Sequence, residues 1–317
     1  MARPDDASLT PGQWARVREE AERALREAGA LGIFPTPIPQ IMAVAKVEEV
    51  REDVLNPNFV DKLRAKAEQA GQAVRRALTK VIGLFHASAG LVFISKTLVE
   101  VKKRFVSLHE AGHGFMPWQR PMYALVEDCE KALDGSTAEL FDREANVFAS
   151  EVLFQLDTFR DMAEAEPFEI WTPVKLARRF NASNYAAIRQ YVSKSSRACA
   201  VVVLDMPELV AGAGYRAALR RAVQSNQFTQ LFGSYGWPET YTPDDQLGAL
   251  IPAGNRKSSG KRSIGLADRN GDQHDCVAES FSTGHNIFIL VHAVKTLGAP
   301  KIYLPANSTR LTRGRAA

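Results

Sequence analysis

His109-Glu110-Ala111-Gly112-His113 decides how the middle of this 317-residue chain folds and what it can bind. The pattern is H-E-x-x-H. In a helix, residues four apart lie on the same face about one turn from each other, so both imidazoles can point at one metal ion. The glutamate after the first histidine reaches a water molecule beside that ion. We therefore expect His109 and His113 to be metal ligands and Glu110 to be a general base. A five-residue pattern with three fixed positions also occurs by chance. The flanking sequence therefore has to support this interpretation.

A third ligand is expected from a second helix. One more carboxylate would complete three protein ligands and leave the fourth position open, as in catalytic zinc sites. Glu144 follows His113 by 31 positions (144 − 113) and lies in a helical pattern. Asp142 is the alternative, and since positions two apart on a helix face different directions, only one of them can serve. Glu144 is the preferred ligand. Asn146 is a candidate to orient a ligand from behind.

The predicted ion is Zn²⁺. Two neutral histidines and one carboxylate carry a net charge of −1, which leaves the site positive and preserves the Lewis acidity of zinc. Mn²⁺ or Fe²⁺ could use the same nitrogen and oxygen ligands.

Composition limits the class of protein. An apolar fraction of 45%, a charged fraction of 24% and a net charge of +4 are ordinary for a globular protein and do not predict nucleic-acid binding. The three cysteines are far apart and form no C-x-x-C pair, so a disulfide framework and a cysteine zinc site are not expected. The amino terminus has no apolar signal core, and the apolar runs are too short to cross a bilayer. We therefore expect a cytoplasmic protein that does not bind membranes.

The pattern of apolar residues, prolines and glycines predicts an α+β protein with five parts. These are an N-terminal helical extension (1–45), the domain with the metal motif (46–165), a helix-turn-helix-like segment (166–196), a C-terminal α/β domain (197–305) and a basic tail (306–317). Helices are expected at about 11–28, 40–45, 58–79, 101–114, 136–156, 173–180 and 184–192, and strands at about 81–86, 91–95, 197–205, 275–282, 286–295 and 301–304. Residues 207–250 are expected to be helical and irregular.

Several stretches around the motif resemble the ImmA/IrrE family of zinc-dependent peptidases. A basic-aromatic run, 103–108, leads into the H-E-x-G-H motif, 144–149 fit the family's E-A-N-x-F-A segment, and 176–183 with Ala186 and Ala187 fit its L-A-x-x-F helical segment. The resemblance covers about 80–200. The chain departs from the family at Ala182, where valine is usual, and lacks a histidine shortly after the motif helix.

The resemblance implies a zincin-like catalytic domain, mostly helical with a small sheet, and in some members a GAF-like domain after it. It also implies a zinc endopeptidase that makes limited cuts in a protein partner. That partner would be a helix-turn-helix transcriptional repressor whose loss derepresses stress, phage or mobile-element genes.

The alternative is a non-catalytic zinc-containing regulator that binds a repressor or DNA. Basic residues in 173–192, namely Lys175, Arg178, Arg179 and Arg189, would suit a DNA groove. In the family, however, this segment packs beside the catalytic unit. An intact Glu110 favours the enzyme, because a purely structural zinc site would not require it.

Overall fold

The computed structural model describes residues 8–50, 83–86, 91–94, 99–122, 135–211, 214–252, 254 and 256–294. Its first part is mainly helical. The helices are α1 (Pro11–Glu27), α2 (Ile38–Val44), α3 (Glu100–Phe115), α4 (Gly135–Leu153), α5 (Thr158–Glu164), α6 (Trp171–Phe180) and α7 (Asn184–Ser193). The predicted helix at 58–79 lies outside the described residues.

Helix α1 begins where the sequence predicts. Thr10 caps it by accepting a hydrogen bond from the backbone N–H of Gln13, whose side chain in turn binds the backbone N–H of Thr10. Pro11 occupies the first turn, where its missing N–H costs nothing. Val17, Ala21 and Leu25 are buried along one face, and the helix packs against α4. The N-terminal extension is thus part of the same core as the metal-motif helix.

A small three-stranded sheet lies next to α3. It consists of β1 (Glu48–Val50), β2 (Gly83–His86) and β3 (Leu91–Ile94), in the order β1-β3-β2. Strands β2 and β3 are antiparallel, whereas β1 runs parallel to β3. The strand pair predicted before the metal motif is confirmed. The turn expected at 87–90 lies outside the described residues.

The C-terminal part is a seven-stranded antiparallel sheet. Its strands are β4 (Cys199–Asp205), β5 (Glu208–Val210), β6 (Gly214–Gln224), β7 (Thr240–Tyr241), β8 (Arg262–Ala267), β9 (Gln273–Ser282) and β10 (Asn286–Ala293). The order is β5-β6-β4-β10-β9-β8, with β7 paired to β6. Helix α8 (Asn226–Phe232) and a 3₁₀ turn (Gly248–Leu250) complete it.

This sheet confirms some expectations and differs from others. The hairpin predicted to turn at 283–285 is present as β9 and β10. Over 207–250, α8 and the irregular segments agree with the expectation of helical and irregular structure, whereas β5, β6 and β7 were not expected there. The antiparallel pairing also differs from the alternating strands and helices expected of an α/β domain. The strand predicted at 301–304 and the tail lie outside the described residues. The mixed architecture agrees with the α+β class.

Each face of the large sheet covers a different core. Because successive side chains of a strand point to opposite faces, Val201 and Val203 join the helical core while Val202 and Leu204 pack under α8. Helix α7 lies against β4 and β6. One face of the sheet therefore shares a core with the helices of the first part, and the other face forms a second core with α8. Among the described residues, no helix combines the length and apolarity needed to span a bilayer.

Candidate metal centre

The centre is built where α3 packs against α4. Gly112 allows a close approach, since a Cβ at this position would lie 3.0 Å from Cδ1 of the fully buried Phe148. His113 is buried and His109 is half-buried. The spacing of the motif and the small residue inside it thus place both imidazoles beside the second helix, as the sequence predicts.

The two histidines face each other through the same ring atom. Their Nε2 atoms are 3.1 Å apart. Nδ1 of His109 lies 3.1 Å from Oδ1 of Asn146, and Nδ1 of His113 lies 2.6 Å from Oε1 of Gln119. An amide oxygen can only accept a hydrogen bond, so each Nδ1 must donate. Burial, together with the neighbouring His109, lowers the pKa of His113 to about 3, which keeps that ring neutral. Its Nε2 lone pair is therefore available to a ligand.

Asp142 supplies the carboxylate nearest to these rings. Its Oδ1 lies 3.9 Å from Nε2 of His113, and its side chain is exposed. Ligand atoms of His109, His113 and Asp142 all lie within 4.8 Å of one another. Within the described part of the chain, this is the only such cluster of three or more histidine, cysteine or acidic side chains.

Glu144 lies elsewhere, in a fully buried position. Its Oε1 accepts from Nη2 of Arg16 at 2.7 Å, and its Oε2 accepts from Trp118 Nε1 and from Gln119 Nε2, each at 2.7 Å. The structure thus brings Asp142, and not the preferred Glu144, next to the histidines. The physical reason is the helix itself, because two positions correspond to about 200° of rotation.

Glu110 is enclosed beside the cluster. Burial raises the pKa of Glu110 to about 8, and the negative charge of Asp142 adds to this effect. A pKa close to neutral pH suits a group that both takes up and releases a proton. Glu110 directly follows His109, which is the position expected for the general base in an H-E-x-x-H motif.

The residues present fit a zinc ion. With Zn–N bonds of about 2.0–2.1 Å in a tetrahedron, two ligand nitrogens lie roughly 3.3 Å apart. The observed 3.1 Å between the Nε2 atoms is close to this value. Two imidazole nitrogens and a carboxylate also form a donor set typical of catalytic zinc.

Two further features of the chain do not join the centre, namely a histidine–aspartate pair of the large sheet and the helix-turn-helix-like segment. Nε2 of His274 lies 3.0 Å from Oδ2 of Asp268 at the turn between β8 and β9, and Cys276 is buried in β9. In the helix-turn-helix-like segment, Ile188 of α7 is buried, and Tyr185 accepts a hydrogen bond from Arg221 of β6. The second helix packs against β4 and β6 of the large sheet.

A groove of 1240 Å³ begins beside the centre. It is lined by Phe105 and Val106 of α3, by Asn146 of α4 and, among others, by Arg220 and Asn286 of the large sheet. Asn146 is also the residue bonded to His109, so the groove reaches the back of one proposed ligand. Nothing in the sequence pattern indicated this groove, because its walls come from distant segments.

Comparisons with known proteins agree with the motif. Residues 66–190 match the model of the family Peptidase_M78, described as the IrrE N-terminal-like domain. This match confirms the predicted resemblance of the stretch to the ImmA/IrrE family. The search of curated proteins found no match. A solved structure titled "Mycobacterium tuberculosis transcriptional regulator" shares 12% identity over 88% of both chains with a TM-score of 0.47, a similarity too low to support an argument.

Proposed function

We propose that this protein is a zinc-dependent endopeptidase that makes limited cuts in a protein partner. The observation that carries the proposal is the pair of Nε2 atoms 3.1 Å apart, each on a ring whose Nδ1 is bonded to an amide oxygen. This arrangement presents two lone pairs to one point. The metallopeptidase family of residues 66–190 supports the same conclusion.

His109, His113 and Asp142 would hold the ion. Bound there, zinc would supply Lewis acidity to a water molecule and to the scissile carbonyl. Glu110 takes a proton from the attacking water onto its carboxylate and delivers it to the nitrogen of the leaving peptide. Asn146 and Gln119 fix the tautomers of the two rings, as partners behind metal-bound histidines do.

The partner would be a transcriptional repressor of the helix-turn-helix type, as the family resemblance implies. An extended polypeptide fits the geometry around α3. Strand β2 forms an edge of the small sheet next to α3, and an edge strand can pair with a substrate backbone as in zincin-like enzymes. The groove from Phe105 to Asn286 can accept chain that flanks the cleavage site.

The test uses the purified protein with a repressor encoded beside its gene. Metal content is measured first, and fragments of the repressor are then identified by mass spectrometry for the unmodified protein and for Glu110→Gln. We expect zinc in both proteins and fragments only with the first. Zinc without cleavage by the unmodified protein would favour the non-catalytic regulator. Cleavage by Glu110→Gln, or by metal-free protein, would overturn the mechanism.

A further inference from the structure

Helix α1 lies outside the IrrE-like stretch and yet reaches the metal centre. Arg16 of α1 donates from Nη2 to Oε1 of Glu144 at 2.7 Å. Its guanidinium also stacks over the ring of Trp118, 3.9 Å from the centroid. The Glu144 side chain is fully buried, whereas that of Arg16 is about half exposed. A residue distant in sequence therefore provides the positive charge for the buried carboxylate that lies behind the centre.

Glu144 is connected to a proposed ligand through one side chain. Nε2 of Gln119 donates to Oε2 of Glu144 at 2.7 Å and faces the backbone oxygen of Phe141 at 3.4 Å. Because acceptors surround the amide nitrogen, the amide oxygen has to point the other way, toward Nδ1 of His113 at 2.6 Å. The contacts with Glu144 and His113 therefore fix one orientation of the Gln119 amide, with its nitrogen toward the carboxylate and its oxygen toward the imidazole.

We propose that Arg16 is a positioning residue for His113, acting through Glu144 and Gln119. Arg16 holds the Glu144 carboxylate, the carboxylate sets the orientation of the Gln119 amide, and the amide oxygen makes Nδ1 of His113 the donor. Nε2 is then the atom left for the ion. This inference rests on the proposed function, since it assumes that His113 binds metal.

The positive charge of Arg16 stabilises the Glu144 carboxylate, on which the contacts to Gln119 and His113 depend. A buried carboxylate that keeps only neutral donors is poorly compensated for its lost hydration. Without Arg16, Trp118 and Gln119 would be the remaining described donors to Glu144. The carboxylate would then move toward water, and the Gln119 amide would lose the acceptor that fixes it. His113 would sample orientations that do not suit metal binding.

Zinc affinity of the full chain, measured by competition with a chelating dye, tests the inference. Arg16→Met keeps the aliphatic stem over Trp118 and removes the charge. We expect it to weaken zinc binding about 10- to 100-fold, the usual cost of losing a partner behind a ligand. Arg16→Lys should restore part of the loss. The control is Arg26→Met on the same helix, where an exposed arginine pairs with Glu22, and its affinity should equal that of the unmodified protein.

A double-mutant cycle separates positioning from general weakening of the fold. If Arg16 acts through Gln119, the double variant Arg16→Met/Gln119→Met should bind zinc no more weakly than Gln119→Met alone. Additive losses would overturn the inference, as would wild-type affinity in Arg16→Met. Urea unfolding of the metal-free proteins checks the fold, and Arg16→Gln serves if Arg16→Met does not fold. If the unmodified protein binds no zinc, the proposed function fails together with the inference. If the unmodified protein binds zinc and Arg16→Met binds it equally well, only the inference fails.

Discussion

Oδ1 of Asp142 lies 3.9 Å from Nε2 of His113, at the exposed mouth of the metal centre. Glu144, two residues further along the same helix, is fully buried and is bound by Arg16, Trp118 and Gln119. Helix geometry therefore separates two neighbouring carboxylates into different surroundings. One can approach an ion together with the imidazoles, and the other organises the side chains behind them.

This separation predicts different effects on metal content. Asp142→Ala removes a proposed ligand and should abolish stoichiometric zinc after dialysis. Glu144→Gln removes only the charge behind His113, so the protein should still fill with zinc at saturation, with an affinity about 10- to 100-fold lower. Metal analysis and dye competition measure both quantities. If Glu144→Gln held no zinc while Asp142→Ala bound it normally, Glu144 would be the third ligand.

Glu110→Gln should separate binding from chemistry. The amide cannot accept the proton from water, so the cleavage rate should fall by roughly 100- to 10,000-fold, the usual contribution of a general base. Zinc content should not change, because Glu110 is not a proposed ligand. Glu139→Gln, an exposed position on α4 that faces Arg143, is the control and should cleave normally. A Glu110→Gln protein without zinc would argue against this division of roles.

Local sequence information was sufficient for the metal-motif helix. The i, i+4 spacing of His109 and His113 depends only on helix geometry, and the cap at Thr10 depends on residues next to it. Both are set by the nearest few positions. The choice between Asp142 and Glu144 was different, since it depends on which side of α4 faces α3 and on the buried partners from α1.

Contacts between distant segments could not be predicted in this way. Strand β6 contains Ala217, Ala218, Leu219 and several arginines, which favour helices. Pairing with β4, β5 and β7 overrides that local preference. Arg16 and Gln119 likewise carry no motif, and their role follows only from the meeting of α1 with the segment after α3.

Gly112 should be sensitive to a single methyl group. Alanine has a higher helix propensity than glycine, but at position 112 its Cβ would lie 3.0 Å from the ring of the buried Phe148. Overpacking of this kind costs about 1–3 kcal/mol, so Gly112→Ala should lower the free energy of unfolding. The control is Gly12→Ala in α1, where a Cβ meets no described atom within 4 Å. That variant should be neutral or more stable by up to about 1 kcal/mol, and equal effects of the two in urea unfolding would contradict the close packing of α3 on α4.

His292 should make the stability depend on mildly acidic pH. Burial lowers the pKa of His292 to about 4, and the charges of Arg197 and Lys261 contribute. Its Nδ1 has no hydrogen-bond partner among the described residues, and its ring contacts Phe168 at 4.9 Å between centroids. The pKa of His292 is about 6.5 in the unfolded chain, so the unfolded chain takes up a proton at a higher pH than the folded protein does. Stability is therefore complete above about pH 6.5 and declines as the pH falls toward 4.

The variant His292→Phe keeps the ring contact with Phe168 and removes the titration. Between about pH 7.5 and pH 5, the unmodified protein should lose about 1 kcal/mol more than the variant, after allowance for solvent screening. Urea unfolding at several pH values, with both proteins free of metal, measures this difference. The comparison isolates His292, because the other titratable groups are common to both proteins. Parallel pH profiles would show that His292 is protonated in the folded protein as easily as in the unfolded chain.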